Sequence, residues 1–193
     1  IFLIMSLLTK ILGKRNSNKK NRGNYFSIIQ AYQELNSNTQ IEFGSVAGLL
    51  VNKDDLDFLY SPHNALFPKT TKTEMVPNSD FTIQKDDLSS NWVIIHGKNF
   101  PQTVERIHFL GEKITDQGFG NLILAAVFSI KFNSKQTYII FNVKSGQFHP
   151  LVLENEKTRD NVQEINLGTL LSSEKIPIEK NLELWHPLWG IPF

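Results

Sequence analysis

The residues best suited to chemistry in this sequence are its five histidines, which stand far apart along the chain. They are His63, His96, His108, His149 and His186. None has the HExxH spacing of a zinc protease, and neither a GxxxxGK phosphate loop nor a GxSxG nucleophile turn occurs. The absence of cysteine excludes a thiolate metal site and a cysteine nucleophile. The sequence therefore predicts no catalytic residue, no metal and no cofactor.

One alternative is an enzyme whose site forms only when the chain folds. Its candidate residues are His96, His149, Arg159 and Asp160. A structural hypothesis covers two of them, because an Asp just before an apolar run commonly caps a helix. The neighbouring Arg159 would then hold a carbonyl or a carboxylate with its planar fork of donors. The other interpretation of this pair is an anion site for a phosphate or a lipid headgroup.

The charge of the chain is unevenly distributed although its formal net charge is only +1. The first 33 residues carry six basic side chains and no acidic one, whereas the rest carries 14 basic and 19 acidic side chains. A basic arm on an acidic body points to an anionic partner, either a membrane surface or nucleic acid. We expect no nucleic acid, because the body is net negative and lacks interleaved aromatic and basic residues. Binding of nucleic acid through the arm is kept as an alternative.

The arm begins with an apolar segment that is too short to span a bilayer. Its aliphatic side chains share one helical face, and basic residues follow them, as in an interfacial helix with a polybasic tail. Because the charges follow the apolar run, a secretory signal is not expected. The predicted membrane-binding residues are Leu7, Leu8, Lys10, Ile11, Leu12, Lys14, Arg15, Lys19, Lys20 and Arg22. The alternative is a first helix that docks on the protein's own core.

The hydrophobic pattern predicts an arm and linker over residues 1–24 and one α+β domain over residues 25–193. Helices are predicted from Tyr25 to Leu35, from Phe100 to Gly118 with Pro101 in the first turn, and briefly after Arg159. Strands are predicted over 41–51, 81–85, 91–97, 121–132, 137–143 and 148–154, and the proline-containing stretch 54–78 as loop. This order indicates an antiparallel sheet packed with helices.

The segment Trp185–Phe193 is rich in aromatic rings and contains two prolines, which exclude a helix there. One interpretation is a structural lid over the open face of the sheet. The other is a surface that receives a helix of a partner protein. The predicted partner-binding residues are Trp185, Trp189 and Phe193.

Several short motifs stand in a fixed order in the second half of the chain. They are WVII at 92–95, DQGFG at 116–120, GQFHP at 146–150, RDN at 159–161 and WHPLWGIP at 185–192. In this order the chain resembles the PspA-associated protein PspAB family. The segment Met5–Lys14 is also similar to the opening of that family, whereas residues 44–84 resemble it poorly.

The resemblance implies association with PspA, the membrane-remodelling coiled-coil protein of the phage shock and envelope stress response. The family has no assigned catalytic residues. We therefore expect a non-enzymatic cytoplasmic adaptor, peripheral on the cytoplasmic membrane face, with a PspA-like coiled-coil protein as its partner. The order of elements also resembles the type III secretion chaperone-like fold, a likeness of fold alone.

Overall fold

An antiparallel sheet carries the helices in the computed structural model, which describes residues 25–52, 81–85 and 90–193. The strands are β1 (Ile41–Asn52), β2 (Phe81–Lys85), β3 (Ser90–His96), β4 (Ile123–Phe132), β5 (Lys135–Asn142), β6 (Gln147–Asn155) and β7 (Thr158–Arg159). The helices are α1 (Ser27–Leu35), α2 (Phe100–Asp116) and α3 (Asn161–Ser173), with 3-10 turns at Gly120–Leu122 and Leu182–Leu184. The strand order is β2-β3-β1-β4-β5-β6-β7, with antiparallel neighbours throughout.

Residues at its two ends determine where helix α2 begins and where it stops. The side chain of Asn99 accepts a hydrogen bond from the backbone N–H of Gln102, and Pro101 lies in the first turn, where its missing N–H costs nothing. After the last turn the backbone of Gly118 takes φ +92°, which favours glycine. The predicted start and end of this helix are confirmed.

Strand β1 is irregular in its pairing with β4. The pairing register with β4 shifts between Phe43 and Ala47. A side chain at Gly44 would place its Cβ 2.6 Å from the carbonyl oxygen of Ser129, so only glycine fits against β4 there. The bulge bends the strand and brings Ser45 close to the start of α2, where the Thr103 hydroxyl donates to the Ser45 carbonyl at 3.0 Å.

The two faces of the sheet bury different clusters. The face that carries the helices, here called the helix face, buries alternate strand residues such as Val93, Phe128 and Phe141. The opposite face, here called the tail face, buries its own cluster, which consists of Leu50, Trp92, Ile94, Ala125, Val127, Tyr138, Ile140 and Leu151. Residues Leu188, Ile191 and Phe193 of the C-terminal segment pack against this second cluster.

The α+β class with an antiparallel sheet is confirmed. The strand predicted over 81–85 has the predicted bounds, and β1, β3 and β6 differ from prediction by one residue at one or both ends. The strand expected from residue 121 begins at Ile123, because a 3-10 turn precedes it, and the strand expected from residue 137 begins at Lys135. The predicted arm at 1–24 and the predicted loop at 54–78 lie outside the described residues. The domain boundary at residue 25 stays a prediction.

Candidate functional site

Trp185 anchors the start of the C-terminal segment beside β6 and α3. Its side chain is buried, and its indole Nε1 donates to the carbonyl of Glu179 at 2.9 Å. Its ring lies so close to Gly168 of α3 that an added Cβ there would be 2.8 Å from it. On the sheet side the indole stacks with His149, at 6.4 Å between ring centroids.

Phe193 holds the far end of the same segment on the tail face. Its ring meets Trp92 edge-on at 5.8 Å and Tyr138 at 6.0 Å, and the Tyr138 hydroxyl donates to the Phe193 backbone oxygen at 2.6 Å. The ring occupies the space that a side chain at Gly48 would need, since a Cβ there would be 2.7 Å from Phe193. The segment therefore crosses the tail face from β6 to β1 and β3.

The three predicted partner-binding residues thus have different surroundings. Trp185 is buried, whereas Trp189 and Phe193 are partly buried. The contacts of Trp185 and Phe193 are those of a lid over the sheet. Partner binding by the three residues stays a prediction.

Arg159 joins three elements at the β6 edge. Its Nη1 donates to the carbonyl of Trp185 at 2.6 Å, and its Nε lies 3.1 Å from a carboxylate oxygen of Glu164 in α3. The other oxygen of Glu164 accepts the backbone N–H of Val152 in β6 at 3.1 Å. Burial raises the pKa of Glu164, while the Arg159 guanidinium acts in the opposite direction. The buried Glu164 carboxylate therefore connects α3 to β6 directly and to the C-terminal segment through Arg159.

Asp160 has the role that the sequence predicted for it. Its carboxylate accepts the backbone N–H of Gln163 at 3.1 Å and so caps α3. A second oxygen of the same carboxylate accepts from the Lys135 ammonium at 2.8 Å, and this hydrogen bond lowers the pKa of Asp160. The helix-cap hypothesis is confirmed, and Arg159 holds both a carbonyl and a carboxylate.

Of the four candidate residues of the alternative enzyme site, His96 lies apart from the other three. His149 is on β6 and His96 is on β3, four strands away and therefore about 19 Å apart at the usual strand spacing. The ring of His149 donates from Nε2 to the carbonyl of His186 at 3.2 Å. Burial is the main cause that lowers the pKa of His149 to about 4. In the described part of the chain, no three His, Asp or Glu side chains come together to hold a metal ion.

An apolar surface lies beside the Trp185 anchor. Across the described residues six large hydrophobic side chains are exposed, and four of them lie in or just after α3: Val162, Ile165, Leu182 and Leu184. These four residues are here called the α3 patch. Ile165 precedes Gly168 by one helical turn, and Leu182 and Leu184 belong to the 3-10 turn that leads into Trp185. The contact between Trp185 and Gly168 places the end of this 3-10 turn against α3.

The sequence did not reveal the α3 patch because hydrophobic residues lie on both sides of α3. The buried positions of the helix, at i, i+3, i+4 and i+7 spacing, are Glu164, Leu167, Gly168 and Leu171. A carboxylate and a glycine thus face inward, while Val162 (67% exposed) and Ile165 (48% exposed) face solvent. The hydrophobic pattern of α3 therefore does not distinguish its buried side from its exposed side.

A family model described as PspA associated protein B matches residues 5–193, nearly the whole chain. The chain belongs to this family. The resemblance read from the motifs is confirmed, and the match includes residues 44–84, where the motifs carried little. No curated protein and no solved structure matches the chain. The likeness to type III secretion chaperones stays a prediction.

The description of the family names association with another protein, PspA. The predicted membrane-binding residues, at positions 7–22, lie outside the described residues. Within the described ranges, no helix combines the length and apolar character that crossing a membrane requires. The α3 patch contains four of the six large hydrophobic side chains that are exposed among the described residues.

Proposed function

We propose that this protein is a non-enzymatic adaptor that binds a PspA-like coiled-coil partner through the α3 patch. The observation that carries the proposal is that four of the six exposed large hydrophobic side chains of the described residues lie in α3 and in the 3-10 turn before Trp185. The family description supplies the partner, since it names association with PspA. Exposed apolar surface of this kind is typical of protein–protein contact sites.

The chemistry of the patch suits a helix of the partner. An amphipathic helix buries aliphatic residues at i, i+3, i+4 and i+7 spacing in an apolar surface or groove. Full burial of an aliphatic side chain contributes roughly 1.5–3 kcal/mol, so four half-exposed ones contribute roughly 3–6 kcal/mol before the cost of association. This magnitude suits a reversible complex, as a stress-response adaptor requires.

The lid gives the patch a rigid base in this proposal. Trp185 is fixed by hydrogen bonds from its indole to Glu179 and from Arg159 to its carbonyl. Leu182 and Leu184 directly precede it, so they inherit a fixed position and lose little side-chain freedom on binding. The partly buried Trp189 contacts the partner directly, whereas Trp185 and Phe193 hold the surface in shape.

The basic arm supplies attachment to the cytoplasmic membrane face. Each of its six cations contributes about 1 kcal/mol at an anionic surface, and the aliphatic face of residues 7–12 adds its own burial. Either contribution alone gives marginal binding, and the two together give stable attachment. The arm would thus place the α3 patch near the membrane that PspA remodels.

The test is the affinity of the full chain for purified PspA from the same organism. The double variant Val162→Gln, Ile165→Gln removes half of the patch from exposed helix positions, and its control Leu124→Gln makes the same change at a comparably exposed site on β4. We expect the dissociation constant to rise about tenfold or more for the double variant and to stay unchanged for the control. Equal affinities of wild type and double variant, at unchanged melting temperature, would overturn the proposal.

A further inference from the structure

A cavity of about 370 Å³ lies on the helix face, and its lining shares no residue with the α3 patch or the lid. It opens between α2, the loop after α2 and the ends of β4 and β5. It is lined by Tyr25, His108, Gly111, Glu112, Thr115, Gly118, Gly120, Asn121, Ile123 and Val143. Its volume is at the lower end of the range for small-ligand sites.

One face of α2 forms a wall of the cavity. His108, Gly111, Glu112 and Thr115 follow i, i+3, i+4 and i+7 spacing. Gly111 has a specific role here, because a Cβ at this position would lie 3.3 Å from the Tyr25 hydroxyl. The missing side chain therefore lets the hydroxyl reach the wall of the cavity.

The Tyr25 hydroxyl belongs to a largely buried side chain and lies at the cavity. The residue is only 4% exposed, and its ring is held edge-on by Phe141 at 4.8 Å and by His108 at 5.9 Å. Among the residues that the structure describes, none forms a hydrogen bond with this hydroxyl. Among the described lining residues, the fully buried polar atom that lacks a partner is Nδ1 of His108. A buried polar atom left unpaired is costly, and a ligand in the cavity would complete both this nitrogen and the Tyr25 hydroxyl.

The charged groups around the cavity determine whether it favours a positively or a negatively charged ligand. Burial raises the pKa of Tyr25 to about 12 and lowers the pKa of His108, so both are neutral at pH 7. Glu112, whose carboxylate lies 3.4 Å from the His108 ring, is then the charged group of the described lining, which contains no Lys or Arg. The C-terminal end of α2 adds the negative end of its dipole on the same side. An anion is therefore disfavoured, and a cation is favoured.

We propose that this cavity binds an alkylammonium group. The ammonium donates to the Glu112 carboxylate and to the Tyr25 oxygen, since it has three donors and both oxygens accept. The alkyl stem lies against Ile123 and Val143, the aliphatic part of the lining. A lysine side chain of a partner protein and a free small amine share this chemistry.

The test uses n-butylammonium as the probe of the full-length, nitrogen-labelled protein, with the Gly118 and Gly120 amide resonances as the readout. We expect saturable shifts with butylammonium and none with n-butanol, which has the same shape without the charge. In Tyr25→Phe and in Glu112→Gln the dissociation constant should rise roughly tenfold. The controls Tyr32→Phe and Glu105→Gln remove the same groups outside the cavity and should bind like the wild type.

The source of the ammonium is distinguished by two further probes, putrescine and an N-acetyl-lysine methylamide. Tighter binding of putrescine identifies a free amine, and tighter binding of the lysine derivative identifies a protein side chain. Three results would overturn the proposal. The first is no saturation up to about 50 mM butylammonium, which is well above the millimolar dissociation constant expected of so small a ligand. The others are equal binding of n-butanol and undiminished binding of butylammonium by Tyr25→Phe and Glu112→Gln. Because PspA binding by the α3 patch is measured separately, failure here leaves that proposal standing.

Discussion

Acidification is expected to destabilise this protein through His149. The ring lies between β6 and the Trp185 indole, is 4% exposed and donates to the His186 carbonyl. Burial lowers the pKa of His149 from 6.5 to about 4; the nearby His186 and Arg159 also lower it, while the hydrogen bond to His186 and the charge of Glu179 oppose them. The folded state is therefore more stable with a neutral His149 ring than with a protonated one.

The sign and size of the effect follow from linkage. A depressed pKa in the folded state stabilises the fold above pH 6.5, and this stabilisation is lost as the pH falls toward 4. The full difference between the two pKa values is worth about 3 kcal/mol, and about 2 kcal/mol of it is lost between pH 7 and pH 5. Glu164 and His108 also titrate abnormally, so the wild-type pH dependence alone does not isolate His149.

The assay is urea unfolding of the wild type and of His149→Gln at pH 7 and at pH 5. A glutamine amide can still donate to the His186 carbonyl but cannot take up a proton. We expect the loss of unfolding free energy between the two pH values to be smaller in His149→Gln by about 2 kcal/mol. His96→Gln, at an exposed position on β3, is the matched control and should follow the wild type. An equal pH-dependent loss in His149→Gln and wild type would refute the reasoning.

Three further predictions follow from the lid, the α3 cap and the arm. Trp185→Ala should lower the free energy of urea unfolding by about 3–5 kcal/mol, and Trp189→Ala, at a partly buried position, by clearly less; equal losses would contradict the anchor role. Asp160→Ala should lower the melting temperature in calorimetry by about 2–4 °C, whereas Asp160→Asn, which keeps the cap and loses only the ion pair with Lys135, should lower it by less. Removal of residues 1–24 should abolish cosedimentation with anionic vesicles, and high salt should weaken that of the full chain; unchanged binding would exclude the arm as the membrane site.

Much of the fold could be predicted because its determinants are local. Asn99, Pro101 and Gly118 mark the ends of α2 within the chain itself. The alternation of Trp92 and Ile94 with Val93 and Ile95 separates the two faces of β3. Asp160 caps α3 through a hydrogen bond three residues away. Signals of this kind need no knowledge of distant contacts.

The candidate sites depend on contacts between distant segments, which the sequence pattern does not contain. The ring of Phe193 packs closely on Gly48, and the indole of Trp185 packs closely on Gly168. The path of the lid therefore depends on two glycines elsewhere in the chain. The cavity likewise combines Tyr25 with α2 and the end of β5. Sequence reasoning treated His108 as an isolated histidine because Tyr25 is remote in sequence.

Hydrogen exchange of the complex with purified PspA tests the central claim most directly. If the α3 patch is the docking surface, amides of residues 161–173 and 182–184 should exchange more slowly in the complex than in the free protein, since binding suppresses local opening there. Amides of α2, which lies outside the patch, should exchange at the same rate in both. Slower exchange confined to other elements, with residues 161–173 and 182–184 unchanged, would contradict the account.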